Sequence, residues 1–167
     1  MHKVYLGIGT NLGDKEGNIL RAYELIRDRV GEIVKRSTLY NTEPWGFESE
    51  NSFLNSVICV ETALFPRQLL QTTQQIEREM GRTSKSTDGK YHDRIVDIDI
   101  LLYDDLKVNE PDLVIPHPLM KERDFVMKPL EEVQGDKVQS DKVQGDKGQS
   151  TKYKVIKYKE PNILNDE

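Results

Sequence analysis

The chain has 167 residues, of which 24 are basic and 29 acidic. That length suits one domain with a sizeable core, and the acidic balance with locally clustered basic residues argues against a general nucleic-acid binder. The single Cys59 excludes an intrachain disulfide and suits a reducing compartment, and neither a signal peptide nor a membrane-spanning run is visible. We therefore expect a soluble cytoplasmic protein without a nucleic-acid or membrane partner, whose oligomeric state is unknown, with a monomer favoured.

The first half of the chain predicts a strand, a helix and two further strands. Residues 3–8 have strand composition, and Asp14 is suited to cap a helix that Gly31 ends. The apolar stripe of that helix repeats at i, i+4, i+7 and i+11 and consists of Ile19, Tyr23, Ile26 and Val30. Strands are predicted at 32–40 and 52–62, with a loop rich in aromatic and turn residues, 41–47, between them.

The second half predicts another helix and another strand. Pro66 suits the first turn of a helix that closes at Gly81, and the run 94–103 is rich in β-branched residues. The order is therefore β-α-β-β-α-β, which is the ferredoxin-like split βαβ plan. We predict an α+β fold with an antiparallel sheet and helices packed on it.

Two aspartates lie inside the last predicted strand. Side chains alternate across a strand, so Asp97 and Asp99 share one face, about 6.5–7 Å apart at Cα. Val96, Ile98 and Ile100 line the other face, which can be buried. Adjacent carboxylates repel unless a cation lies between them, and Mg²⁺ is held by one or two carboxylates plus substrate phosphates. The alternative is a half-exposed strand whose polar face happens to be acidic.

A cationic segment leads directly into this strand. Residues 81–94 carry two arginines, two lysines, two glycines and four Ser or Thr side chains, which is typical of a mobile surface loop. Phosphoryl transfer needs metal-bound carboxylates together with Arg or Lys to neutralise charge on the transferred group. The loop and the D-x-D strand together therefore favour a site for phosphoryl transfer over a charged segment that is simply solvated.

The character of the chain changes near its C-terminus. A pentapeptide of the form Val-Gln-Gly/Ser-Asp-Lys recurs over 133–147 and decays by residue 152. A period of five fits neither helix nor strand, and one valine per repeat cannot supply a core. We predict a folded domain at 1–132, a disordered repeat at 133–152 and a tail at 153–167 that includes an edge strand near 153–158.

Five separated motifs occur in order along the first 132 residues. They are YLGIGTNLG at 5–13, YNTEPWG at 40–46 with FLN at 53–55, EREMGR at 77–82, RIVDIDI at 94–100, and PHP at 116–118 with Met120, Arg123 and Phe125. Together they resemble the 6-hydroxymethyl-7,8-dihydropterin pyrophosphokinase family of folate biosynthesis. The resemblance implies an α+β fold with a ferredoxin-like core and transfer of pyrophosphate from ATP to the pterin hydroxymethyl group, with release of AMP.

The resemblance also implies roles for individual residues. Asp97 and Asp99 would hold two Mg²⁺ ions between ATP and pterin, and Arg82 and Arg94 would contact phosphates as part of the catalytic set. The ATP-binding positions would be Glu77, Arg82, Lys85, Lys90, Arg94, Ile100, His117 and Arg123. The pterin-binding positions would be Thr42, Pro44, Trp45, Phe53, Asn55 and Phe125, with the two phenylalanines stacked on the pterin faces and Asn55 reading its edge.

The chain departs from the family pattern at several positions. These are Ser84, where many members place an arginine, Tyr91, where some have tryptophan, His92-Asp93 before Arg94, and Pro118 beside the histidine. We expect the loop to close differently over ATP, with Lys85 or Lys90 replacing a lost cation. The segment after Val133 has no clear counterpart in the family.

Two other functions remain as alternatives. One is a D-x-D metal-dependent nucleotide-sugar transferase, which the short chain and the missing Rossmann-like alternation disfavour. The other is a non-catalytic ferredoxin-like module that binds small molecules. The combination of Arg82, Arg94, Asp97 and Asp99 disfavours this second reading, because a binding module does not need the whole set.

Overall fold

The computed structural model describes residues 1–42, 52–81 and 95–135 in full, and residues 43–44 and 153–157 as backbone. Eight strands and three helices lie in these ranges. In chain order they are β1 (His2–Thr10), α1 (Lys15–Arg29), β2 (Gly31–Arg36), β3 (Tyr40–Pro44), β4 (Phe53–Thr62), α2 (Pro66–Gly81), β5 (Asp97–Tyr103), β6 (Val108–Glu110), β7 (Leu113–Ile115), α3 (Asp124–Gln134) and β8 (Tyr153–Lys157).

Six of the strands form one sheet. Its order is β5-β1-β4-β3-β8, with β2 also paired to β4, and every pairing is antiparallel. β6 and β7 form a separate hairpin. The chain is therefore a mixed α/β protein built on an antiparallel sheet, in agreement with the predicted class.

The predicted helix starts agree with the local structure. An oxygen of Asp14 accepts the Gly17 backbone N–H at 3.1 Å, which satisfies one of the donors left unpaired at the start of α1. Pro66 is the first residue of α2, where its missing N–H costs nothing. Both signals are local, so they can be recognised without knowing the tertiary fold.

The predicted strand at 32–40 is wrong as one element. β2 ends at Arg36 and β3 begins at Tyr40, so the two strands pair with different stretches of β4. Ser37 lies at the break, where its hydroxyl accepts the Val57 N–H at 3.0 Å and donates to the Thr38 carbonyl at 2.7 Å. A side chain that bonds to backbone in this way competes with a regular ladder and interrupts the strand.

No predicted element covers α3. Pro129 lies inside this helix, and an internal proline argues against helix in a sequence pattern. The helix also extends two residues past the predicted domain boundary at 132, and Val133 is buried at 2% exposure. The first valine of the repeat therefore belongs to the core.

The sheet has apolar side chains on both faces. One face packs under α1 and α2 through residues such as Leu6, Ile26 and Ile76. The other face packs under α3 through Val57, Leu101, Met120, Val126, Leu130 and Val133. Each buried aliphatic side chain contributes about 1.5–3 kcal/mol, so both layers stabilise the domain. Among the described residues, none of the helices has the length and apolar content to cross a membrane.

The backbone of β8 pairs with β3 from Pro44↔Tyr153 to Tyr40↔Lys157. We expect an internal deletion of 138–147 to leave the melting temperature unchanged, because the repeat has too little apolar surface to pack. Truncation after residue 134 removes β8 as well and should lower the melting temperature by several degrees. Thermal melts of both variants test this, and a comparable loss from the internal deletion would show that the repeat itself packs.

Candidate active site

Two glycines of β1 form the floor of a cavity on the α3 face of the sheet. In the strand register, Gly9 pairs with Asn55 on one side and Asp97 on the other, and Gly7 pairs with Val57 and Asp99. Side chains from β4 and β5 therefore flank a strip of β1 that carries none. Glycine inside a strand often marks a place where a ligand approaches the backbone closely.

The first cavity lies above this glycine strip and has a volume of about 200 Å³. Its walls come from three parts of the chain, namely β3–β4, β5 and the start of α3. Six side chains that line it are Thr42, Phe53, Asn55, Asp97, Asp99 and Phe125. Four of the predicted pterin residues thus line one space together with the two aspartates.

An amide is held rigidly in the wall of this cavity. Nδ2 of Asn55 donates to Oγ1 of Thr42 at 3.0 Å, and these side chains are 7% and 4% exposed. A buried amide with a fixed donor direction presents its oxygen in a defined orientation. The pair can therefore read the hydrogen-bonding edge of a flat ligand.

The start of α3 closes the cavity from above. The Arg123 carbonyl accepts the N–H groups of Val126 and Met127, and the Arg123 guanidinium lies 5.7 Å from the centre of the Phe125 ring. This spacing is within the range of a cation–π contact. Arg123 lines the first cavity, near the carboxylates, and not the second cavity, where the other nucleotide-site residues lie.

A second cavity of about 360 Å³ lies between α2 and the β6–β7 hairpin. It brings together Glu77, Ile100 and His117, the predicted nucleotide-site residues of the described ranges other than Arg123. Oε2 of Glu77 accepts the Ile98 N–H at 2.7 Å, and Glu77 is 8% exposed. This bond fixes α2 against β5 at the residue between the two aspartates.

Asp99 lines both cavities. The D-x-D strand is therefore a wall that the two spaces share, with its apolar side chains Val96, Ile98 and Ile100 buried on the opposite face. In the described part of the chain, no three His, Cys, Asp or Glu side chains cluster as a metal site. A cation held by Asp97 and Asp99 would need its remaining ligands from water or from a bound substrate.

A buried threonine ties the entry of β5 to β1 and α1. Oγ1 of Thr10 donates to the Ile95 carbonyl at 2.6 Å and accepts from Nδ2 of Asn18 at 3.0 Å. Asn18 also donates to the Leu12 carbonyl at 2.8 Å. Ile95 lies two residues before Asp97, so these bonds fix the backbone from which the first carboxylate projects.

We expect Thr10→Val to lower kcat of the pyrophosphate transfer that the family resemblance implies by roughly 10- to 100-fold. A small displacement of the Asp97 carboxylate from the reacting groups is enough to lower the rate by that much. Thr73→Val is the matched control, since Thr73 is equally buried but bonds only to the Leu70 carbonyl of its own helix. Steady-state kinetics with thermal melts on both variants test this. Equal kcat in the two variants would mean that the Thr10 bond has no influence on the carboxylates.

Not every predicted position lies within the described residues. Trp45, Arg82, Lys85, Lys90 and Arg94 lie outside the described residues, as do the departures Ser84, Tyr91 and His92-Asp93. Pro44 is described as backbone in β3, and Pro118 lines the second cavity beside His117.

The structure adds residues that the sequence did not single out. Arg67 forms ion pairs with Glu110 and, at 2.8 Å, with Asp112, so it joins the start of α2 to the hairpin of the second cavity. The hydrogen bond from Arg67 lowers the pKa of Asp112. The two glycines of Gly7-Ile8-Gly9 inside a strand could have indicated the cavity floor from the sequence. No local sequence pattern indicates the contacts of Arg67.

The chain is similar in sequence to known proteins. The family model of 7,8-dihydro-6-hydroxymethylpterin-pyrophosphokinase (HPPK) matches residues 5–135. A 2-amino-4-hydroxy-6-hydroxymethyldihydropteridine pyrophosphokinase of Porphyromonas gingivalis is 51% identical over 131 residues, 78% of this chain and 89% of the relative. Proteins of the same name from Aquifex aeolicus and Bacillus subtilis are 42% and 39% identical, covering 80% and 77% of this chain and 81% and 76% of those proteins.

Solved structures share the fold at low sequence identity. A crystal structure of HPPK-DHPS in complex with substrates has a TM-score of 0.61 and 15% identity over 79% of this chain. This chain spans 40% of that longer chain. A wild-type Plasmodium falciparum HPPK-DHPS structure with pteroate has a TM-score of 0.59 and 16% identity, covering 78% of this chain and 38% of the other. On the extent of the family match and the identity of its relatives, the chain belongs to the 7,8-dihydro-6-hydroxymethylpterin-pyrophosphokinase family.

Proposed function

We propose that the first cavity binds the pterin, the second binds ATP, and Asp97 and Asp99 hold Mg²⁺ between them. The chain transfers the pyrophosphate group of ATP to the hydroxymethyl group of 6-hydroxymethyl-7,8-dihydropterin, a step of folate biosynthesis. The observation that supports this arrangement most strongly is the position of Asp99, which lines both cavities. A transfer between two substrates needs such a junction.

The first cavity suits a flat heteroaromatic ring. Phe53 on β4 and Phe125 on α3 both line it with aromatic rings, while the hydrogen-bonded Asn55 and Thr42 side chains supply polar groups in a fixed orientation. A flat ring with donors and acceptors is well held by that combination. Trp45 and the Pro44 loop would complete the pocket by family resemblance.

The second cavity suits the nucleoside part of ATP. Glu77 and Gln74 on α2 give polar groups at one wall, and Leu113 and Val114 of the hairpin give apolar surface at the other. Nδ1 of His117 accepts the Leu119 N–H at 3.3 Å, which assigns the ring proton to Nε2. His117 can then donate to a nucleotide oxygen. Arg82, Arg94, Lys85 and Lys90 would bind phosphates by resemblance.

The carboxylate pair suits magnesium. Asp97 and Asp99 supply hard oxygen ligands on one strand face, and the glycine strip opposite leaves space for a hydrated ion. When bound, Mg²⁺ neutralises phosphate charge and acidifies an attacking hydroxyl. We propose two such ions, because nucleophile and leaving group lie on opposite sides of the reacting phosphorus.

The reaction forms one bond and breaks one. The pterin hydroxymethyl oxygen bonds to the β-phosphorus, the bond from that phosphorus to the oxygen shared with the α-phosphate breaks, and AMP leaves with that oxygen. The hydroxyl proton is lost to solvent. The protein aligns the two substrates across Asp99 and excludes water from the β-phosphorus, which prevents hydrolysis.

We propose further that the sheet and two of the helices form a ferredoxin-like core. β1, α1, β2–β3, β4, α2 and β5 follow the βαββαβ order, and the antiparallel pairings of β1 and β4 are consistent with it. We also propose that the chain acts as a monomer, because one copy supplies residues of both proposed substrate sites together with the Asp99 that the two sites share.

The experiment is incubation with Mg²⁺-ATP and hydroxymethyl dihydropterin, followed by nucleotide analysis. AMP that appears in step with pterin diphosphate supports the proposal. ADP as the product would indicate ordinary phosphoryl transfer, and absence of turnover with intact ligand binding would indicate a binding module. A nucleotide-sugar transferase would instead turn over a sugar nucleotide and leave ATP intact.

A further inference from the structure

We propose that Glu132 is a positioning residue that sets the width of the pterin cavity by fixing α3 against the start of β3. Two of the walls of this cavity come from parts of the chain that are far apart in sequence, with Thr42 and Asn55 on one side and Phe125 on the other. This inference rests on the proposed function of that cavity, and it names a residue outside the cavity lining.

The Glu132 carboxylate accepts hydrogen bonds from three donor groups at and just before the start of β3. It accepts the Thr38 backbone N–H at 3.2–3.3 Å, the Thr38 hydroxyl at 3.1 Å and the Tyr40 hydroxyl at 3.0 Å. All three donors lie more than 90 residues away in sequence. We call Glu132, Thr38 and Tyr40 the α3 clasp.

The clasp is chemically suited to hold one geometry. Burial, and next the nearby Glu132 carboxylate, raise the pKa of Tyr40, so the phenol keeps its proton and remains a donor. Among the described residues, Glu131 also raises the pKa of Tyr40, by less than Glu132 does. The hydrogen bonds from the three donors, 3.0–3.3 Å long, are directional and converge on one carboxylate, so together they define the position of α3 relative to Thr38 and Tyr40.

The clasp residues lie on the same two elements, β3 and α3, as the cavity residues Thr42 and Phe125. Tyr40 begins β3, and Thr42 lies two residues later on the same strand face. Glu132 lies seven residues, or two helical turns, after Phe125 on α3, a distance of about 10 Å along the helix. A residue two turns away on the same helix face controls where Phe125 lies relative to Thr42.

The other contacts of α3 do not fix its position in the same way. They consist mainly of apolar packing by Val126, Leu130 and Val133 on the sheet. Such packing is non-directional and tolerates small displacements that keep area buried. Without the clasp we therefore expect α3 to stay docked but to shift, which separates Phe125 from Phe53 without unfolding the domain.

The test compares Glu132→Gln with Glu131→Gln. Glu131 is the exposed neighbour on the same helix, so its variant removes the same charge without touching the clasp. We expect Glu132→Gln to raise KM for the pterin roughly 10-fold, with KM for ATP within about 2-fold of wild type. Glu131→Gln should match the wild type in both constants.

A second variant makes the test independent of stability. Tyr40→Phe removes only one donor and keeps the ring, and we expect a smaller rise of KM for the pterin in the same direction. The double variant Glu132→Gln/Tyr40→Phe should show less than the product of the two single effects, because the residues act through one contact. Melting temperatures of all variants are recorded alongside the kinetics.

Three results would overturn the proposal. They are an unchanged KM for the pterin in Glu132→Gln, an equal effect of Glu131→Gln, or equal losses in the constants of both substrates, which would indicate a merely structural role. If Glu132→Gln does not fold, Tyr40→Phe alone decides between the same outcomes. The wild type and Glu131→Gln report on pyrophosphate transfer itself, so failure of the proposed function is distinguishable from failure of the clasp.

Discussion

Asp97→Asn and Asp99→Asn are each expected to lower pyrophosphate transfer about 10³-fold or more without loss of fold. Asp99 lines both cavities and Asp97 lines the first, and the metal-assisted charge stabilisation proposed there would be worth several kcal/mol. Their strand is held by Val96, Ile98 and Ile100 on the opposite face, which these substitutions leave unchanged. Initial-rate assays at saturating Mg²⁺ with thermal melts provide the measurement.

Asp105→Asn is the matched control for this prediction. Asp105 is exposed on the turn after β5 and lines neither cavity. The same loss of one carboxylate charge there should leave turnover near the wild-type rate. Near-normal activity of either D-x-D variant would show that the carboxylates do not hold the metal.

Gly9→Ala is expected to raise KM for the pterin about 10- to 100-fold. A Cβ at residue 9 would lie 2.7 Å from Oδ1 of Asn55, which is closer than real contacts allow. Asn55 would have to move, and its bond to Thr42 would be lost. Overpacking of this kind costs about 1–3 kcal/mol, which corresponds to that range of affinity.

Gly7→Ala is the graded comparison. A Cβ at residue 7 would meet the flexible Leu101 side chain at 3.4 Å, so the cavity floor adjusts more easily there. We expect a smaller rise of KM for the pterin in this variant, and little change of KM for ATP in both. An equal effect of the two substitutions would show that loss of space, and not displacement of Asn55, determines pterin binding.

The features that could be predicted from the sequence are those with a local cause. The Asp14 cap, the Pro66 start of α2 and the alternation around Asp97 and Asp99 depend only on neighbours in the chain. The class of fold followed from the order of those elements. The family resemblance then indicated a set of site residues, and the described ones among them line the two cavities, with Arg123 in the first cavity and not beside the other predicted nucleotide-site residues.

The features that could not be predicted depend on contacts between distant residues. The break at Ser37 needs the Val57 N–H, which is far away in sequence, and α3 forms despite Pro129 because its apolar face is buried on the sheet. The placement of Arg123 in the first cavity depends on where α3 docks. No local pattern carries that information, since tertiary packing overrides propensity there.

We propose that the D-x-D strand separates two substrate sites and holds the metal at their junction. A crystal structure of the complex with Mg²⁺, hydroxymethyl dihydropterin and an ATP analogue with a non-cleavable α,β-bridge tests it most directly. We expect the pterin between Phe53 and Phe125, the adenine base of the ATP analogue in the cavity of Glu77 and His117, and Mg²⁺ on Asp97 and Asp99. Metal bound away from both aspartates, or both substrates in one cavity, would contradict it.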